Sequence, residues 1–504
     1  MPHVFLTHQI FTYAASDVLR LFFGKVTTVH EDGSLRVGDD DGVWLVGWRS
    51  NEPLIADLVE DEITKLEKEH NSASDNPFAD EEELRLGRRA LKIALYNHCV
   101  AVTGKKFPWG SLTGIRPTLV AWETWQQTGG SYDNSVAMLK EVYKVAPEKA
   151  ILAVDTMIEE ENLLANFPET DFGLYIGIPF CPTRCHYCSF TMPEGIGRSD
   201  AEMDRYVDVL CLELEQVLSQ LQPVVRTIYI GGGTPTSLNP NQLDRLMATV
   251  THLVKTPLNQ SKQSDDYQIF EFCLEAGRPD TITEDKLMVA KSYGVNRLCI
   301  NPQTMHDETL EKIGRHHTVE QTIEAFELAS QIGFASINTD LIAGLVDEDE
   351  TMFTESLQRV LELGADSVTI HSLALKRSSE MNRRRVEAGE ALSAIKRPDE
   401  VVAAMLEIGD ESCRSAGLVP YYLYRQKDGR GGLENVGYAK SGCGSLYNIG
   451  MMGDRRSVLA FGSGGMSKRY FHGGLIHRSP NVKSYLQYLD RWQEMAERKL
   501  KLFC

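Results

Sequence analysis

The chain has 504 residues, 42% hydrophobic and 24% charged, which describes a globular protein of two or three domains and not a fibrous or disordered one. Its formal net charge of −19 argues against a general binder of nucleic acid or of an anionic membrane, because phosphate surfaces reward basic ones. No run of about twenty apolar residues offers a membrane span, and Met1 to Leu6 lacks the basic start of a signal peptide. Ten cysteines in a chain this long are too sparse for a disulfide scaffold and fit a reducing cytosol, so a cytoplasmic protein is expected.

From Val4 to about Arg49, short segments broken by Asp32-Gly33 and Asp41-Gly42 predict a small antiparallel sheet. Its strands are expected over Leu19 to Val29, Ser34 to Val37 and Val43 to Trp48. The acidic run from about Asp57 to Glu83 reads as a solvated helix or linker. Glu81 to Val102 has apolar residues at helical spacing, with Arg88, Arg89 and Lys92 along part of the helix. Phe107 to Pro117 reads as a packed, turn-rich loop between helices, although its aromatics and Arg116 would also suit a substrate or partner contact. Val136 to Asn166 is expected to be helical.

Beyond Phe172, strand-like and helix-like stretches alternate. Strands are expected at Leu174 to Ile178, Thr227 to Ile230, Ile269 to Leu274, Arg297 to Ile300, Ser336 to Ile342 and Ser367 to Ile370. Amphipathic stretches such as Asp204 to Leu221 and Val319 to Ile332 lie between them. Repeated β-then-α units point to a parallel sheet with helices outside, and to a site at the carboxyl ends of its strands. After the first of these strands come Cys181, Cys185 and Cys188 at C-x3-C-x2-C spacing. Zinc is usually held by four ligands in paired spacings, and an odd set of three cannot pair off as disulfides. Three close thiolates suit an iron–sulfur cubane with one iron left open to an outside ligand.

Tyr175-Ile176-Gly177-Ile178-Pro179-Phe180, followed by that loop, resembles the cluster segment of the radical S-adenosylmethionine superfamily. From about Phe172 onward the chain resembles the oxygen-independent coproporphyrinogen III oxidases (dehydrogenases), most closely their HemZ branch. Where the best-known oxidases of that family carry a histidine and a further cysteine, this chain has Gly177 and Phe190. The resemblance implies an α/β fold: a partial (β/α)6 barrel over 166–390, an N-terminal α+β domain over 1–165 and a C-terminal α+β extension over 391–504 that covers substrate. It implies two cofactors, a 4Fe–4S cluster on Cys181, Cys185 and Cys188, and S-adenosylmethionine. The latter would be held by Tyr175, by Gly232, Gly233 and Thr234 of a glycine-rich turn, and by Glu275, Gln303, Arg315 and Asp340. Tyr175 is also the expected catalytic residue.

The segment Pro420 to Lys427 resembles the same branch. Tyr421, Tyr422 and Tyr424 could pack on a tetrapyrrole, and Arg425 and Lys427 could pair with its propionates, although Tyr-Tyr-x-Tyr is also an ordinary half-buried strand pattern. The activity implied is oxidative decarboxylation of coproporphyrinogen III to protoporphyrinogen IX, with electrons from a reduced flavodoxin- or ferredoxin-type donor. A haem-binding chaperone of the same family and a radical enzyme acting on haem remain the alternatives.

Overall fold

The computed structural model describes residues 3–24, 26–28, 34–36, 43–49, 51–57, 78, 80–114, 116–165, 167–188, 199–255, 270–374, 378–389, 399–426, 432–472 and 475–504. Lys427, Phe190, the two Asp-Gly turns and most of the acidic run lie outside these residues. The chain divides into two compact units, one of 1–154 with 425–433 and one of 155–424 with 434–504.

In the first unit, β1 (His3–Leu6), β2 (Thr27–Thr28), β3 (Leu35–Arg36), β4 (Val43–Arg49) and β5 (Glu52–Asp57) form a sheet of order β2-β3-β1-β4-β5. The sheet is mixed and not antiparallel throughout, since β1 runs parallel to β4. The expected strand from Leu19 is instead the end of a helix, Thr12–Phe23. Ala14, Ala15, Val18, Leu19 and Phe22 recur at helical spacing and are buried, and this longer period outweighs the short apolar run at its end. The helix Glu81–Thr103 packs on the same core through Leu91, Leu95, Tyr96 and Cys99. The single helix expected over Val136 to Asn166 is two, Tyr132–Glu141 and Pro147–Leu164. Lys144 adopts a left-handed φ of 60° ahead of Pro147, and proline disfavours helical backbone before it.

The second unit is built on β6 (Phe172–Ile178), β7 (Val225–Gly232), β8 (Glu271–Gly277), β9 (Arg297–Ile300), β10 (Ser336–Ala343) and β11 (Ser367–Ser372). These pair in that order, every neighbour parallel, as the alternating pattern predicts. Ile269 lies outside the described residues, and the third strand starts at Glu271. The strands β12 (Val419–Arg425), β13 (Glu434–Ala439), β14 (Ser457–Phe461), β15 (Met466–Phe471) and β16 (Leu475–Pro480) continue the sheet beyond both edges. β13 joins β11 antiparallel, whereas β14 joins β6 parallel. Residues from the last hundred positions therefore complete the barrel sheet itself.

The crossover helices start and stop where their sequence dictates. Thr318 and Gln321 form a capping box ahead of Val319–Ile332, and Gly333 ends it with φ 79°. Ser199 and Asp349 cap the helices Asp200–Leu221 and Glu350–Glu362. Glu213, fully buried on the first of these, accepts from Lys499 Nζ at 2.6 Å, Tyr488 Oη at 2.6 Å and Gly462 N at 3.0 Å. That network fixes the Gly462 turn against the barrel wall. No helix among the described residues is long and apolar enough to cross a membrane.

Candidate active site

Parallel strands present their carboxyl ends on one rim, and each of the six contributes a polar segment there. β6 leads into the cysteine loop. β7 ends in Gly231 to Thr234, whose amides tie it to that loop: Gly233 N donates to Ile178 O and Thr234 N to Phe180 O, both at 2.7 Å. Gly232 has φ 117°, a conformation open to glycine, and a Cβ on Gly233 would lie 2.6 Å from Phe180 O and 3.0 Å from Cys181 Sγ. Thr234 Oγ1 donates to Cys181 Sγ at 3.3 Å. Sequence elements fifty residues apart thus meet because neighbouring strands end in register, Ile178 opposite Gly232.

The cysteine loop is held from several sides. Cys188 N donates to Cys185 O at 3.1 Å, and His186 N donates to Ile313 O at 2.8 Å. Arg278 donates to Thr183, and Arg184 donates to Ser378 O at 2.9 Å. Arg315, buried, donates to Tyr187 Oη at 3.3 Å and to the carbonyl of Asn301, and it also bonds Cys185. None of the three cysteines is in a disulfide, and all are partly exposed. Burial pushes the Cys181 thiol up to about 12, so a metal would have to displace its proton on binding. Among the described residues no group of three metal-ligating side chains closes around a single ion position. A four-iron cluster is gripped at separate corners and asks for no such convergence.

Two carboxylates face the rim with opposite electrostatics. A bulge after Glu275 shifts the register between β8 and β9, which re-aims this side chain. Gly232 N donates to Glu275 Oε2 at 3.3 Å, and Tyr229 adds a second bond. Burial, and then the nearby Asp340 carboxylate, raise Glu275 to about 7. Burial works against Asp340 as well, but hydrogen bonds from His371, Asn338 and Thr369 hold its carboxyl below the usual range. At neutral pH Asp340 keeps its charge while Glu275 is poised to gain or lose a proton. Gln303 sits between β9 and β10 with a strained φ of 76°, its amide donating to Asp340 O at 3.0 Å.

Tyr175 stands within the barrel, its phenol pushed well up by burial. Its hydroxyl would lie 3.2 Å from a Cβ on Gly232, so it reaches the glycine turn. Its ring stacks with Tyr229 and Tyr447 at centroid distances of 6.3 and 6.2 Å, and those two stack on each other at 4.6 Å. A Cβ on Gly177 would meet the Tyr175 ring at 3.2 Å and Phe461 O at 3.3 Å, so a larger side chain there has to move one of them.

The residues expected at substrate separate. Tyr421 and Tyr422 are buried in a core cluster with Leu164, Phe167 and Ile449. Arg425, 6% exposed, donates to the carbonyls of Leu112 and Gly432 and lies over the Trp109 ring in the N-terminal unit. Tyr424 stays partly exposed, its hydroxyl 3.3 Å from His371 Nδ1. Tyr229, Tyr447 and Asn301 carry no sequence signal of a place beside the cofactor. Asn301 Oδ1 is buried without a hydrogen-bond partner among the described residues, as a group awaiting a ligand would be. His317 is 2% exposed with both ring nitrogens likewise unpartnered, and burial and then Arg315 hold it down at about 3.

Six parallel strands with three thiols in the loop after the first, clasped by a glycine turn after the second, define a radical S-adenosylmethionine protein. The model of the Radical SAM superfamily matches residues 175–360. Across 447 residues the chain is 36% identical to the oxygen-independent coproporphyrinogen-III oxidase-like protein HemZ of Bacillus subtilis, covering 87% of this chain and 85% of that one. It is 32% identical over 317 residues to the heme chaperone HemW of the same organism, covering 63% and 74%. Among solved structures, coproporphyrinogen III oxidase HemN from Escherichia coli superposes with a TM-score of 0.51 at 23% identity, over 68% of this chain and 73% of that one, a likeness of fold. The chain belongs to the coproporphyrinogen oxidase-like family of radical S-adenosylmethionine proteins, which use a 4Fe–4S cluster and S-adenosylmethionine. The donor set fits both: three thiols in one loop, with carboxylates, amides and the Asn301 Oδ1 that has no partner among the described residues.

Proposed function

We propose that this protein is an oxygen-independent coproporphyrinogen III dehydrogenase, converting two propionate side chains of its substrate into vinyl groups. The observation that carries the substrate assignment is the likeness to HemZ along 85% of that protein's length. The rim geometry supports the reaction type. Cys181, Cys185 and Cys188 would hold the cluster. Gly232, Gly233, Thr234 and Glu275 would receive the amino group of S-adenosylmethionine, Gln303 and Asp340 its ribose, and Arg315 its carboxylate. When bound and reduced by one electron, this pair of cofactors would supply a carbon radical able to take a hydrogen atom from a propionate; loss of carbon dioxide, with the remaining electron passed to an external one-electron acceptor, would then leave the vinyl group.

The chain's own residues bind, orient and exclude water. Glu275 near its midpoint can release its proton as an ammonium arrives, so cofactor binding need not bury an unpaired charge. Arg315 locks Tyr187 and Cys185, which fixes the loop before the cofactor enters. The stacked rings of Tyr175, Tyr229 and Tyr447 would present an apolar wall beside the glycine turn. His371 lies between the Asp340 carboxylate and the Tyr424 hydroxyl and links the two.

A second reading, a haem-holding chaperone, is favoured by the 32% identity to HemW. Anaerobic incubation of cluster-loaded protein with S-adenosylmethionine, reductant and coproporphyrinogen III separates the two. The first reading expects protoporphyrinogen IX and two deoxyadenosines for each. Cofactor cleavage without decarboxylation, with one haem retained per chain, contradicts it and supports the second.

A further inference from the structure

The cations that the sequence sets along the helix Glu81–Thr103 come together in the N-terminal unit. Arg85, Arg88, Arg89 and Lys92 line one cavity of about 530 Å³. Residues three and four apart share a helix face, so cations in this register repel one another unless counter-charge is close. Arg116, from the turn-rich segment that no other function absorbs, adds a fifth. The carboxylates in the lining are Asp17 and Glu81. Lys92 takes Asp17 at 2.8 Å, Arg85 and Arg89 share Glu123, and Arg85 also pairs with the exposed Glu82 at 2.5 Å. Arg88 donates to the carbonyl of Ile10 at 3.2 Å and meets no carboxylate among the described residues.

Among the described residues five cations therefore meet four carboxylates, Asp17, Glu81, Glu82 and Glu123, in a chain that is acidic as a whole. Burial pushes the Arg89 guanidinium below its ordinary range, and the neighbouring Arg85 adds to this. The helix Pro117–Gln127 begins at the cavity with Arg116 as its N-cap and without a side-chain cap, so its amides add to the positive end. Ala14, Leu112 and Val120 supply apolar wall between the charges. A solvated surface face would scatter its cations toward water; this one gathers them around a hollow of small-molecule size.

We propose that this cavity is an anion-binding site for a small molecule bearing two or more phosphate or carboxylate groups on an apolar or aromatic body. Guanidinium forks match the paired oxygens of either group. The site stands in the other unit from the cysteine loop and does not depend on the reaction proposed above.

Calorimetric titration of the full-length, cluster-loaded protein with inorganic pyrophosphate, and separately with coproporphyrin III, tests it. Saturable binding that weakens with salt and falls about tenfold or more in Arg88→Ala is expected for one of the two probes. Pyrophosphate binding assigns the phosphate class. Coproporphyrin binding that depends on Arg88 and persists in Cys185→Ala assigns the carboxylate class. Phenylglyoxal labelling of the unaltered protein, read by mass spectrometry, serves if Arg88→Ala fails to fold: the bound probe should shield Arg85, Arg88 and Arg116. No binding by either probe, or binding that ignores Arg88 and leaves these arginines equally reactive, overturns the proposal.

Discussion

The two ends of one barrel treat buried charge in opposite ways. At the amino end, Glu271 on β8 accepts from Ser445 Oγ at 2.7 Å and from Leu446 N at 2.6 Å, so it serves the first turn of the helix Leu446–Gly453. Arg297 on β9 donates to Ser336, Ser367 and Asn338 and to the carbonyl of Cys443. At the carboxyl end of the same two strands, Glu275 titrates near 7 and Asn301 Oδ1 has no partner among the described residues. Burial raises both glutamates, but four residues along β9 separate a guanidinium bonded throughout by the fold from an amide oxygen left without a partner among the described residues. Polar burial at one end holds the barrel together; at the other it makes room for chemistry.

Glu271→Ala should break the first half of that contrast and give the larger effect. It strands helix amides and removes the counter-charge of buried Arg297, so stability should fall by about 3 kcal/mol or more in denaturant titration. The folded fraction should still bind S-adenosylmethionine normally.

Glu275→Gln sharpens the other half and works in the opposite direction. Its carboxyl is raised in the folded state, so its stabilising contribution is present at pH below the usual carboxylate range and is lost as pH rises toward 7. The amide variant should match the unaltered protein in acid and be the more stable of the two at pH 8. Affinity for S-adenosylmethionine should rise from pH 6 to pH 8 in the unaltered protein and stay flat in the variant, by isothermal titration. A variant less stable at pH 8, or one that keeps the pH dependence, removes Glu275 from the role given to it.

Most of the rim was legible because every strand that reaches it is short, apolar and followed at once by an unusual residue set. Cysteines, a glycine triplet, Glu275, Gln303 and Asp340 each fall within a few residues of a strand end, where a parallel barrel gathers them. Thr318 and Gly333 likewise mark the limits of their helix to the residue. What escaped was whatever depends on which face a side chain takes or on distant segments meeting. Tyr421, Tyr422 and Tyr424 alternate as a strand does, and the pattern could not say that core and sheet neighbours claim the first two. Tyr447, more than two hundred residues from Tyr229, shows no sequence sign of stacking on it. Arg425 carries the charge a propionate would ask for, but nothing local in the sequence signals that the carbonyls of Leu112 and Gly432 take up its fork.

The proposed reaction requires three thiols leaving one iron open beside the Gly232 turn, and electron paramagnetic resonance of the reduced, anaerobically reconstituted protein tests that directly. Adding S-adenosylmethionine should change the cluster spectrum and release deoxyadenosine, and Cys185→Ala should lose both cluster and release together. A spectrum indifferent to the cofactor, or cleavage that survives Cys185→Ala, would contradict it.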